Sequence, residues 1–165
     1  MGSQSSYRLP YLDSSFFIAW IKGEVTESGI NRAKIAEHIL WRAEQGDYHV
    51  VTCAATLAEV HKPRGGLVLP GDLGERILSY FEHDFVQLVD VNRAVGEHAH
   101  RLAREFNLNP FDAIHLASAL RAGCDVLLAW DDRLIGRVNH PAISVEEPRM
   151  VGQSRLPGLE DDRSQ

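Results

Sequence analysis

Short apolar runs alternate with amphipathic helical stretches along nearly the whole chain, and this alternation constrains the fold more than any other feature. Residues 9–13, 48–52, 85–89, 125–129 and 142–145 read as strands. Residues 15–21, 30–44, 54–61, 73–81, 93–106 and 110–122, with a short stretch from 132, read as helices between and after them. Within 30–44, Ile30, Ala33, Ala36, Ile39, Leu40 and Ala43 recur at helical spacing, while Arg32, Lys34, Glu37 and Arg42 take the rest of the wheel. Strands joined through helices pair in parallel and are buried on both faces. The expected fold class is therefore α/β: a three-layer α/β/α sandwich around a central, mainly parallel five-stranded sheet.

Local signals set the boundaries. Gly46-Asp47 and Gly123 stop helices, Asn109 and Pro110 supply an N-cap and a first helical position, and the Gly and Pro of 63–71 make that segment a loop. This loop is not a phosphate-binding P-loop, because no Gly-Lys-Ser/Thr closes it. Residues 1–8 read as a mobile start, 9–147 as one domain and 148–165 as a disordered tail rich in Gly, Pro and charge.

Composition narrows the function classes. At 165 residues and 44% hydrophobic content, the chain suits a single core. No apolar run approaches the roughly 18 residues that span a bilayer, and residues 1–8 lack a signal-peptide core, so a cytoplasmic protein with no membrane partner is expected. Cys53 and Cys124 lie in apolar surroundings and read as buried reduced thiols. A net charge of −6 argues against nucleic-acid binding through a general basic surface. It leaves room for a nuclease whose clustered acids hold a cation that attracts phosphate.

Four carboxylates, Asp13, Glu59, Asp112 and Asp131, stand where apolar segments end or near helix starts. Open α/β sheets bind ligands at the carboxyl edge of their strands, where Asp13 and Asp131 would emerge. Each has a structural competitor. Asp13 can cap the helix that follows it, Glu59 can be a solvent-facing helix residue, and Asp112 can complete a capping box with Asn109. Of Asp131 and Asp132, one is expected to face the pocket and the other to cap the next helix, with Asp131 preferred inward. Asp90 reads as a helix cap and His115 as a packed core residue. His98 and His100 read as a solvated face, and Phe111 as an anchor of its helix in the core. Ser14, Lys62 and Arg64 are candidates for water or phosphate contacts.

Taken together, Leu12-Asp13-Ser14-Ser15, Leu57-Ala58-Glu59-Val60, the stretch Phe111-Asp112-Ala113-Ile114-His115-Leu116-Ala117-Ser118-Ala119 and Leu127-Leu128-Ala129-Trp130-Asp131-Asp132 resemble the PIN-domain family, particularly its VapC-like toxins of type II toxin–antitoxin systems. The resemblance runs from about Leu9 to Val145 and is most specific between Asp112 and Ala119. It implies a magnesium- or manganese-dependent ribonuclease. Asp13, Glu59, Asp112 and Asp131 match the family's acidic positions. Asp13, Asp112 and Asp131 would be the metal ligands, with Glu59 holding a water or a second metal. The family often carries Thr where this chain has Ala129. The resemblance also implies an RNA substrate, a cognate antitoxin and a homodimer, with 30–44 and 73–81 as candidate interface helices.

The residues leave two further readings. One is a catalytically silent PIN-like module that binds RNA or protein. The other is a different α/β phosphohydrolase or phosphoacceptor domain, disfavoured because Ser15 stands where a second Asp is wanted and no lysine follows Lys62.

Overall fold

The computed structural model describes residues 7–61 and 71–150. Its strands are β1 (Pro10–Leu12), β2 (Val50–Cys53), β3 (Val86–Val89), β4 (Val126–Leu128) and β5 (Ser144–Glu146). Its helices are α1 (Ser14–Lys22), α2 (Arg32–Glu44), α3 (Ala54–His61), α4 (Gly71–Tyr80), α5 (Arg93–Phe106), α6 (Pro110–Arg121) and α7 (Asp132–Arg137). All strand pairs are parallel, in the order β3-β2-β1-β4-β5. The expected three-layer α/β/α architecture is present.

Side-chain alternation builds the layers. On the central strands Leu12, Val50, Val126 and Leu128 face a core completed by Phe16 and Phe17 of α1, Ile39 and Leu40 of α2, and Ile77 of α4. Tyr11, Val51, Cys53, Leu127 and Ala129 face the opposite core, against Val95 and Leu102 of α5, Leu116 of α6 and Leu134 of α7. Strands covered on both faces favour apolar residues, which is why β1 and β4 read as continuous runs; Thr52, buried on β2, has its hydroxyl bonded to that of Thr56 at 2.8 Å. Both cysteines are free and buried. No helix among the described residues is long and apolar enough to cross a membrane.

The chain runs outward from β1 through β2 to β3, then returns to place β4 on the other side of β1. That reversal leaves a crevice between the carboxyl ends of β1 and β4, where open sheets bind ligands. The pair is held in register as Leu12↔Leu128, and the Asp13 N–H donates to the Leu128 carbonyl at 3.4 Å.

Several local expectations need correction. Helix α2 starts at Arg32 behind the N-cap Asn31, and Ile30 is exposed, because Val25 and Asn31 form an antiparallel bridge across the preceding loop. Asp90 is exposed and caps nothing, since the Asn92 side chain accepts from the Val95 N–H and opens α5. Tyr7, within the expected mobile start, is buried edge-on against Tyr48, and Pro148 is buried. Residues 1–6, Lys62, Arg64, most of the expected loop 63–71 and the tail from 151 lie outside the described residues.

Leu128 is fully buried and spans the junction that creates the crevice. Leu128→Ala is expected to destabilise the domain by about 3 kcal/mol, read as a lower urea midpoint. A loss below about 1 kcal/mol would contradict the packing described for this junction.

Candidate active site

Each of the four acids reaches the crevice from a different element. Asp13 follows β1, Glu59 lies on α3, Asp112 on the first turn of α6, and Asp131 follows β4. All four line one cavity of about 370 Å³, together with Ser14, Ser15, Ile18, Lys22, Asn109 and Phe111.

The hydrogen bonds resolve the competition between structural and chemical readings atom by atom. Asp13 Oδ1 accepts from the Ser15 hydroxyl at 2.6 Å and the Phe16 N–H at 3.2 Å, so Asp13 is the N-cap of α1. Asp131 Oδ1 accepts from the Arg133 N–H at 2.9 Å and caps α7. Asp112 Oδ2 accepts from the Asn109 side-chain amide, whose own oxygen accepts from the Asp112 N–H at 3.0 Å in a reciprocal cap. Glu59 Oε2 bonds His115 Nε2 at 2.8 Å. In every case one carboxylate oxygen is anchored, and the other has no protein partner among the described residues. The anchored oxygens fix the side chains, and the other oxygen of each acid carries no bond to a described residue at the cavity.

Asp131 therefore both caps α7 and lines the cavity. The expected division of labour with Asp132 does not occur: Asp132 is the exposed first residue of the helix and is not among the cavity-lining residues. Glu59, which alone reads as a solvent-facing residue, is instead half-buried against His115. Phe111 does not anchor α6. It is 49% exposed at the cavity rim, while Ala113 and residues 115–119 carry the buried face of the helix. Ser15 ties the two sides together, because its hydroxyl also accepts from the Trp130 N–H at 3.3 Å.

Lys22 was not legible as part of the site, and His115, on the helix face of Asp112, read first as a packed residue. Lys22, at the end of α1, brings a cation to the acidic cavity. His115, only 2% exposed, bonds Glu59 through Nε2 and the Tyr11 hydroxyl through Nδ1 at 2.8 Å, with Cys53 Sγ 3.7 Å from the same nitrogen.

Electrostatics mark the cavity as short of positive charge. Asp13 is 5% exposed, and burial raises its pKa to about 6, against the pull of nearby His115 and of its capping bonds. Burial also raises Asp112, with the charges of Asp131 and Glu59 adding to the rise. Burial alone would lower His115, but hydrogen bonds with Cys53 and Glu59 and the charge of Asp13 outweigh it and lift the imidazole to about 10. His115 is thus an internal counter-charge, and burial still leaves Asp13 and Asp112 raised.

Hard carboxylate oxygens with raised pKa values fit a divalent cation of the Mg²⁺ type. Among the described residues no three His, Cys, Asp or Glu side chains are grouped closely enough to hold a metal by themselves. That suits Mg²⁺, which uses one or two carboxylates and keeps several waters.

Open α/β sheets bind ligands in the crevice at their topological switch point, and in this domain that crevice is lined by acids. The sequence profile of the PIN domain matches residues 11–140, and the chain belongs to the PIN-domain family. Ribonuclease VapC45 and Ribonuclease VapC49, both from Mycobacterium tuberculosis, are each 31% identical to it over 134 residues, covering 76% of this chain and 86% of theirs. A toxin–antitoxin complex from Klebsiella pneumoniae shares the fold with a TM-score of 0.60 at 17% identity, covering 85% of this chain and 98% of that one. VapC20 of Mycobacterium tuberculosis, a sarcin–ricin loop cleaving toxin, gives 0.55 at 21% identity, over 76% of this chain and 92% of its own.

The raised pKa of Asp13 has a stability consequence. Its folded value of about 6 lies above the ordinary 3.8, so ionisation costs the metal-free folded state about 3 kcal/mol. The penalty is full above about pH 6 and vanishes below about pH 4, where the group is protonated folded and unfolded alike. Asn keeps the capping oxygen and removes the charge. Asp13→Asn is therefore expected to stabilise the chelator-treated protein by ~2 kcal/mol at about pH 7.5, with roughly a third of that left at about pH 4.5. Thermal melts at the two pH values test this; a variant less stable than wild type at both would overturn it.

Proposed function

We propose that this chain is a Mg²⁺- or Mn²⁺-dependent endoribonuclease that hydrolyses RNA phosphodiester bonds as the cytoplasmic toxin of a toxin–antitoxin pair. The observation that carries the reading is the convergence of four acids from four separate elements on one cavity, each with one oxygen anchored and one available. The ribonuclease relatives, which this chain matches over most of their length, support the substrate class.

Asp13 and Asp112 would hold the cation through their unanchored oxygens, Asp131 would join through a water of its shell, and Glu59 would orient the attacking water. When bound, the cation supplies a lowered pKa to that water and neutralises charge building on the phosphoryl oxygens. Glu59 would accept the water proton as the new oxygen–phosphorus bond forms opposite the one that breaks, and the leaving ribose oxygen would take a proton from solvent. Lys22, at the cavity wall, is placed to pair with a phosphate of the strand. Phe111 offers an exposed ring beside Asp112, suited to stack an unpaired base next to the scissile bond. The cation and the aromatic face that the described residues bring to this acidic crevice suit a single strand better than a duplex.

An antitoxin partner is proposed for the same chain, on the strength of fold neighbours solved as toxin–antitoxin and VapBC complexes. Arg or Lys from such a partner would replace the cation's charge in the acidic cavity. A homodimer is proposed as well. Helix α2 leaves Trp41 half exposed. Helix α4 borders an apolar groove of about 630 Å³ lined by Leu57, Val60, Ile77 and Leu78.

Purified protein is expected to cut single-stranded RNA with Mg²⁺ or Mn²⁺ and to stop with a chelator. A transition-state contact worth about 3 kcal/mol corresponds to about a hundredfold in rate, the loss expected for Asp112→Asn. Cleavage that ignores both the chelator and this substitution would remove the mechanism. RNA binding without cleavage would leave a silent module. A separate expectation concerns Phe111→Ala, which should raise KM for single-stranded RNA about tenfold with kcat retained; an unchanged KM would remove the stacking role.

A further inference from the structure

We propose that His115 is a positioning residue for catalysis: its Nε2–H holds Glu59 Oε2, Tyr11 braces the ring from behind, and Glu59 Oε1 is thereby fixed at the cavity. The inference rests on the nuclease reading of the same site.

The chemistry of the bonds sets the direction of this chain of contacts. An ionised carboxylate only accepts, so at 2.8 Å from Glu59 Oε2 the Nε2 atom must carry its hydrogen. In the neutral ring Nδ1 is then bare and accepts from the Tyr11 O–H at 2.8 Å; in the charged ring Nδ1–H donates to the same oxygen. Both forms of the ring keep the same grip on Glu59. The orientation is therefore independent of the ring's protonation.

The geometry of the fold makes the grip rigid. Tyr11 is fully buried on β1, two residues before Asp13, and its ring packs edge-on against His115 with centroids 5.8 Å apart. His115 sits one turn along α6 from Asp112, within the buried stretch of 115–119. The path Tyr11–His115–Glu59 thus ties β1, α6 and α3, three of the four elements that carry the acids. Glu59 needs such a brace more than the others. Asp13, Asp112 and Asp131 are short side chains held by caps within three residues of themselves, whereas the longer Glu59 lies in the last turn of α3 with no local partner among the described residues. A long flexible carboxylate left untethered samples several rotamers and loses much of its effect on an attacking water.

The test is a double-mutant cycle between Glu59→Ala and His115→Ala, with His115→Gln as the conservative variant because its amide keeps an N–H donor. Rates on single-stranded RNA with Mn²⁺ and the affinity for Mn²⁺ alone, by calorimetry, are both measured on protein verified as folded by its melt. Loss of an outer-shell partner of this kind typically costs about 10- to 100-fold. The expected result is a fall in kcat of that size for each alanine variant with KM unchanged, and no further fall in the double variant. His115→Gln should recover much of the loss. Should His115→Ala not fold, His115→Leu, which fills the ring's space without a donor, and Tyr11→Phe complete the cycle with Glu59→Ala in the same way.

Independent, multiplicative losses would overturn the proposal, as would a folded His115→Ala with wild-type kcat. Failure of the nuclease reading looks different. Wild-type protein would then leave RNA intact, while coupling between Glu59 and His115 in Mn²⁺ affinity would still establish the brace, and its absence would overturn that too.

Discussion

Parallel pairing of β1 with β4 is the constraint on which the rest of the structure depends. It brings residues more than a hundred positions apart into register at Leu12↔Leu128, and the strands on either side then diverge in sequence order. A crevice opens at that point for topological reasons alone. Asp13 and Asp131 stand at its lips because each follows a central strand, and α6 sets Asp112 beside them because its buried face packs on the same sheet. Ser15 ties the two lips further by bonding Asp13 on one side and the Trp130 backbone on the other.

Placing acids there conflicts with the environment that places them. The apolar strands that carry Asp13 to the edge also strip it of water, and its ionised form becomes expensive. Part of that cost is offset from within by His115, held among Tyr11, Cys53 and Glu59. Part is offset at the rim by Lys22. Asp13 and Asp112 stay raised nonetheless, so the cavity keeps an affinity for outside positive charge. A metal ion and a basic side chain from a partner would meet the same demand, so the proposed activation and inhibition would be two occupancies of one electrostatic deficit.

Much of this was legible in the sequence because it is local. The Asn109–Pro110 start of α6, the glycine stops, the order of strands and helices, and the three aspartates follow from contacts only a few residues long. The misreadings involve rotation about a helix axis or distant partners. Phe111 is apolar and next to a buried stretch, yet the phase of α6 turns it to solvent. Asp90 loses the cap to Asn92, two residues on, where the helix starts. His115 and Glu59 are 56 positions apart, and nothing in either local segment announces the other. Tyr11, at 104 positions from His115, reads only as one more apolar strand residue.

The apparent rivalry between capping and catalysis also has a physical resolution. A carboxylate has two oxygens and about four lone-pair sites, so one atom can close a helix end while its twin remains available. Short acids at helix starts gain rigidity this way without any dedicated support. Glu59 cannot, because the N–H groups in the last turn of a helix are already bonded along the ladder, and no local donor to it stands among the described residues. Its partner must come from across the sheet, and a buried histidine supplies a fixed N–H there in either charge state. The fold thus stabilises three acids by secondary structure and the fourth by tertiary structure, and the fourth is the one whose placement is most sensitive to packing between layers.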